Sequence, residues 1–149
     1  MSPRLPVTPM PAAPRILLAD DHAMIRDALT LTIQRMIPQA VFGEATTAAT
    51  VEAAVEGEPW DLVVLDLGLP GASEFETLRR LRRRRPALPI LVFSMFAEDK
   101  MGLAAFEAGA SGYLCKTADR ALIRTAVSET MGGRGYMSDR LRALLTQRE

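Results

Sequence analysis

Five short apolar runs recur along the chain, each followed by a polar stretch with helical spacing. They are RILLA (15–19), AVFGE (40–44), DLVVLD (61–66), PILVFS (89–94) and SGYLCK (111–116). The runs are rich in Val, Ile and Leu and mostly continuous rather than alternating, the pattern of parallel strands covered on both faces. Between the first two, Ile25, Leu29, Ile33 and Met36 fall at steps of four, four and three, which predicts a helix over 23–36. Further helices are expected over 47–57, stopping at Gly57, over 74–85, ending in arginines before Pro86, and over 98–108, stopping at Gly109. A fifth, 119–131, opens on Asp119 and is read as turning Leu122, Ile123, Ala126 and Val127 inward before Gly132-Gly133. Five consecutive βα units predict an α/β fold with a doubly wound parallel sheet, because each parallel pair needs a right-handed crossover helix. No internal repeat is detectable.

Composition narrows the class. A chain of 149 residues can bury a real core, and 48% hydrophobic with 24% charged residues is ordinary for a globular domain. A formal net charge of zero gives no reason to expect a polyanion binder. The single cysteine, Cys115, excludes an intramolecular disulfide and suits a reducing cytoplasm; it is read as packing like a small hydrophobe. The apolar runs are about half the length of a membrane span. Residues 1–14, with Pro3, Pro6, Pro9, Pro11 and Pro14, read as a disordered leader.

The candidate chemistry lies at the ends of the runs. The first ends in Asp20-Asp21, the third in Asp66, the fourth in Ser94 and the fifth in Lys116. In a doubly wound sheet these ends share one edge, where ligands bind. Three carboxylates there repel one another and call for a cation, and hard oxygen donors with room for water suit Mg²⁺. A lone ammonium and a hydroxyl suit the remaining oxygens of a phosphoryl group, and an aspartate can be the nucleophile that accepts it. Taken singly, Asp20 or Asp21 could merely cap the helix that follows. His22 is read as a loop or helix-start residue, because Mg²⁺ disfavours imidazole.

In order and spacing, LLADDH, VVLDLGLPG, ILVFS and GASGYLCK resemble the receiver domain of two-component response regulators over residues 15–132. DDHAMIRDAL, FSM and GASGYL are similar, more narrowly, to the NarL/FixJ transcriptional regulators. The resemblance implies a five-stranded (βα)5 flavodoxin-like sheet of order 2-1-3-4-5, in a bacterial, cytoplasmic phosphoprotein. It implies that Asp66 accepts a phosphoryl group from a sensor histidine kinase. Mg²⁺ would be held by Asp21, Asp66 and the Gly68 carbonyl, with Asp20 helping through water. Lys116 would pair with a phosphoryl oxygen. Ser94 and Tyr113 would form a switch pair that alters the surface near the fourth and fifth helices and promotes homodimerisation. Without that switch role, Tyr113 reads as a core residue with its hydroxyl at the surface. Acceptance and hydrolysis of the phosphoryl group would be self-catalysed; the chain is not expected to be an enzyme in the ordinary sense.

Several positions depart from the common pattern or invite another reading. Glu74 stands where the family usually has glycine, which puts the loop after Asp66 in question. Thr117 follows Lys116 where proline is frequent. Met95 is bulkier than the usual residue after the switch serine and is expected to narrow access to the phosphoryl group. The run RRLRRRR (79–85), six arginines in seven positions, is read as a solvated helix tail that favours the negative end of the helix dipole. Ser138 is expected to cap a short helix through Leu145. Residues 133–149 read as a linker and helix leading toward an absent LuxR-type helix-turn-helix domain, whose opening LTQRE resembles, so DNA is reached only through that missing part. Two other functions are weighed. One is a haloacid-dehalogenase-like phosphatase, disfavoured by Gly68 where its general acid would stand; the other is a binding module of the same fold that is never phosphorylated.

Overall fold

The computed structural model describes residues 12–73 and 75–147. Most of the proline-rich leader, Glu74 and the last two residues of LTQRE therefore lie outside the described residues. The strands are β1 (Arg15–Ala19), β2 (Val41–Ala45), β3 (Leu62–Leu65), β4 (Ile90–Ser94) and β5 (Gly112–Cys115). The helices are α1 (Ala23–Met36), α2 (Ala48–Gly57), α3 (Glu76–Arg84), α4 (Glu98–Ala108), α5 (Arg120–Met131) and α6 (Asp139–Gln147). All strand pairs are parallel and the order is β2-β1-β3-β4-β5, as the resemblance implies.

The sheet divides the core in two because successive strand side chains point to opposite faces. Leu17, Val63, Leu65, Ile90, Val92 and Tyr113 meet Val51 and Val55 of α2, Leu78 and Leu81 of α3, and Ala105 of α4. Ile16, Leu18, Leu62, Val64, Leu91 and Phe93 meet Leu29 and Ile33 of α1 and Ala126 and Val127 of α5. Both faces are covered, which is why β1, β3 and β4 read as unbroken apolar runs. Side-chain caps mark three helix starts: Thr47 and Thr50 form a capping box on α2, and Asp119 accepts from the Leu122 N–H at 2.8 Å on α5. Ser138 caps α6 through the Leu141 N–H, and that helix runs to Gln147 rather than to Leu145. Leu122 corrects the expectation for α5: it is 44% exposed, about 140° around the helix from Val127, whereas Ile123 lies about 40° from it.

The arginine run is solvated as expected at Arg79, Arg80, Arg83, Arg84 and Arg85, which are exposed, but not at Arg82. Arg82 is half-buried and donates to the carbonyls of Gly109 (2.8 Å), Pro86 (3.0 Å) and Leu88 (2.7 Å) and to Ser111 Oγ (3.1 Å). It thereby ties α3 to the end of α4 and the start of β5. Gly109 ends α4 at φ +119°, and a Cβ there would lie 2.7 Å from Arg82 Cγ, so only glycine lets the guanidinium in. Arg85 reaches the Val55 carbonyl, while Arg84 and Arg80 pair with Glu56 and Glu52. Arg82→Ala should destabilise the fold by about 3 kcal/mol, since it strips several carbonyls of their donor, whereas Arg83→Ala should change it by less than about 0.5 kcal/mol. Paired urea unfolding curves check this; equal effects would return both to the solvated reading.

Candidate functional site

The parallel ladder continues one step past β1, β3 and β5, and that step positions the polar side chains. Asp20 N–H donates to the Ala45 carbonyl, Asp66 N–H to the Ala19 carbonyl and Lys116 N–H to the Ser94 carbonyl. Each functional residue is thus held by a backbone bond from a neighbouring strand, at the carboxyl edge of the sheet.

Their side chains converge. Lys116 Nζ lies 2.7 Å from Asp20 Oδ2 and 3.3 Å from Asp66 Oδ2, and all three side chains are at least 93% buried. Asp66 Oδ1 accepts from the Gly68 N–H at 3.0 Å. Asp20 Oδ1 accepts from the His22 N–H at 2.8 Å, and the same oxygen is 2.8 Å from His22 Nδ1. Asp21 is more open, with its Oδ1 3.3 Å from that ring nitrogen. Facing two carboxylate oxygens, Nδ1 carries the proton and serves as a donor, so the structure keeps His22 at the start of α1 as expected and gives it a second task. It braces the acidic pair, a contact that no spacing in the sequence announces.

Ligand atoms of Asp20, Asp21, His22 and Asp66 all lie within 4.8 Å of one another. Three carboxylates against one ammonium leave two negative charges in a mostly buried crevice. That excess and the hard oxygen donors fit a divalent cation of the Mg²⁺ type, with the imidazole Nδ1 engaged by Asp20 and Asp21. Asp20 is as deeply buried as Lys116 and ion-paired with it.

The predicted switch pair sits beside this cluster. Ser94 Oγ accepts from the Phe96 N–H at 3.2 Å, so its hydroxyl is engaged by the loop that follows β4. Tyr113 is 1% exposed, and its hydroxyl donates to the Phe96 carbonyl at 2.7 Å. Its ring lies in the core as expected, but the hydroxyl is buried rather than at the surface. Burial pushes the Tyr113 phenol above its usual pKa, opposed by its hydrogen bond with Ser94. Met95, between the two, is 70% exposed. Cys115 is only half-buried, its Sγ accepting from Thr117 Oγ1 at 3.2 Å, so it is not the packed hydrophobe expected. Among the described residues no peptide bond is cis, which includes Lys116–Thr117.

Comparison with known proteins meets this geometry. Residues 16–128 match the family model described as the response regulator receiver domain. The transcriptional activator ExaE of Pseudomonas putida is 38% identical over 126 residues, 85% of this chain and 59% of that protein. The nitrate/nitrite response regulator NarL of Escherichia coli is 34% identical over 131 residues, 87% of this chain and 60% of that protein. The chain therefore spans about three-fifths of the length of these curated relatives. A solved LuxR-family two-component response regulator from Aurantimonas superposes with a TM-score of 0.79 at 34% identity, covering 91% of this chain and 97% of that one.

Proposed function

The chain belongs to the response regulator receiver domain family, within its NarL/LuxR-type branch, and from this we propose that Asp66 is the residue phosphorylated by a partner histidine kinase. The observation that carries the proposal is the Lys116 ammonium held between Asp20 and Asp66 in one buried crevice. One oxygen of Asp66 forms the new P–O bond while the P–N bond of the donor breaks and the departing nitrogen takes a proton. The Gly68 N–H and Lys116 hold the Asp66 carboxylate fixed for this attack, and Lys116 then faces a phosphoryl oxygen as its charge develops. Asp20, Asp21, Asp66 and the Gly68 carbonyl would hold Mg²⁺, which when bound neutralises phosphoryl oxygens. Ser94 would turn from the Phe96 N–H to a phosphoryl oxygen, releasing the start of α4.

The surface of α4 and α5 is then the proposed output, carrying self-association and, through a DNA-binding domain on a longer chain, transcription. No helix among the described residues is long and apolar enough to cross a membrane, and the proposed setting is the cytoplasm. Phosphatase chemistry of the haloacid-dehalogenase kind is not favoured: Gly68 stands where the general acid would be and contributes only backbone.

Incubation with phosphoramidate and Mg²⁺ followed by intact-mass measurement tests the reading. Wild type should gain one phosphate and Asp66→Asn none; an equal gain in both would refute it. Met95→Ala should accept phosphate from the same donor faster, by about twofold to tenfold if the exposed side chain restricts approach; an unchanged rate would remove Met95 from the account.

A further inference from the structure

The segment after α5 is bound to the two parts of the domain that the switch would move relative to each other. Tyr136 lies alongside β5: its N–H donates to the Ser111 carbonyl at 3.2 Å, and its carbonyl accepts from the Tyr113 N–H at 3.0 Å. Gly135 permits this approach at φ +76°, where a Cβ would sit 2.7 Å from the Ser111 carbonyl oxygen. Two residues on, Ser138 crosses to α4. Its N–H donates to Glu98 Oε2 at 3.0 Å, and its hydroxyl bonds the other carboxylate oxygen of Glu98. The same hydroxyl caps α6 through the Leu141 N–H at 3.1 Å. Leu141 is 3% exposed and lies over Gly102, whose missing side chain leaves room for it, with Leu145 one turn further along the same face.

Glu98 is the first residue of α4, two positions beyond Phe96, the residue that holds both Ser94 Oγ and the Tyr113 hydroxyl. One half of the Glu98–Ser138 contact therefore moves with the β4–α4 loop, and the other half is anchored to β5. We propose that α6 is a cover latched onto α4 by the Glu98–Ser138 contact, and that phosphorylation of Asp66 opens the latch and uncovers the α4 face. The inference rests on the receiver reading above. The sequence of events is mechanical: Ser94 leaves the Phe96 N–H, the loop shifts, and Glu98 moves away from a Ser138 that Tyr136 holds in place. The two charge-assisted bonds are then lost together, and Leu141 with the half-buried Leu145 is left to secure the helix.

Hydrogen exchange on the full chain, read by mass on peptides from α6, tests this. In the resting protein the α6 amides should be protected. Ser138→Ala should lower that protection by about tenfold, and Leu141→Asp should abolish it. Phosphoramidate with Mg²⁺ should lower wild-type α6 protection by at least as much as Ser138→Ala does, with phosphate on Asp66 verified in the same sample. Absence of phosphate on Asp66 would defeat the receiver reading and the coupling with it. Phosphate on Asp66 with α6 protection unchanged would defeat the latch alone, as would α6 amides that exchange in the resting chain at the rate of an unfolded peptide.

Discussion

Lys116→Ala is expected to lower the stability of the fold by about 3–5 kcal/mol, among the largest effects of any single substitution in this domain. The ammonium contacts Asp20 and Asp66 with almost no solvent around any of the three side chains. Screening that makes surface pairs nearly worthless does not operate there. Its removal leaves two adjacent carboxylates buried without a counter-charge, and neither can turn to water without breaking the backbone bonds that hold it. The same substitution should slow phosphoryl acceptance by about a hundredfold or more, because the one cation among the described residues aimed at the developing charge is gone. Mg²⁺ should return part of the lost stability, about 2.7 kcal/mol at a hundred times its dissociation constant, by supplying the missing charge. Urea unfolding of both proteins with and without Mg²⁺ reads the stability loss and its return, and the rate of mass gain from phosphoramidate reads the slower acceptance. A stability loss under about 1 kcal/mol would mean that Lys116 is not the charge that balances the crevice.

Tyr113→Ala should cost about 3–5 kcal/mol, the cost of emptying a fully enclosed aromatic site. The ring is among the largest fully buried side chains, packed with Val92 and Ala105 in the cluster between the sheet and α2, α3 and α4. Tyr113→Phe keeps that packing and removes the hydroxyl with its bond to the Phe96 carbonyl and its contact with Ser94, so it should cost about 1 kcal/mol. Comparing the two separates the structural role of the ring from the tie that the hydroxyl makes to the β4–α4 loop. Alkaline pH gives an independent reading. Burial raises the phenol pKa of Tyr113 in the folded state, and of Tyr136 as well. Above pH 10 the unfolded chain loses its phenol protons before the folded chain does, so stability should fall as pH rises through and beyond that value. Part of that slope should vanish in Tyr113→Phe; an unchanged slope would mean that the hydroxyl is not buried as described.

The elements were legible because both faces of the sheet are covered. β1, α1 and α4 begin and end where the apolar pattern and the breakers place them, and the strand order follows from the family resemblance. Asp20, Asp21, Asp66 and Lys116 could be placed on one edge because a parallel sheet sends every strand end the same way. What stayed hidden depends on direction rather than on position. Whether Arg82 points into solvent or back to five acceptors depends on how α3 packs against the end of α4, which a run of arginines does not encode. Leu122 was read as internal with Ile123, Ala126 and Val127, yet it falls about 140° around the helix from Val127, past the edge of the buried stripe and in water. The pairing of Lys116 with Asp20 is likewise a matter of which partner is nearest in the resting site. The docking of α6 on α4 required knowing that Gly102 leaves a hollow and that Glu98 faces Ser138, neither of which a local pattern signals.

Asp66 shares its crevice with two other carboxylates, Asp20 and Asp21, and is proposed as the one that becomes the covalent acceptor. Borohydride reduction of the phosphorylated chain converts an acyl-phosphorylated aspartate to homoserine, and peptide sequencing by mass then locates it. Homoserine at position 66, formed only when Mg²⁺ accompanied the phosphoryl donor, is the predicted result. Homoserine at position 20 or 21 instead, or a phosphate that resists reduction because it is not an acyl phosphate, would contradict it.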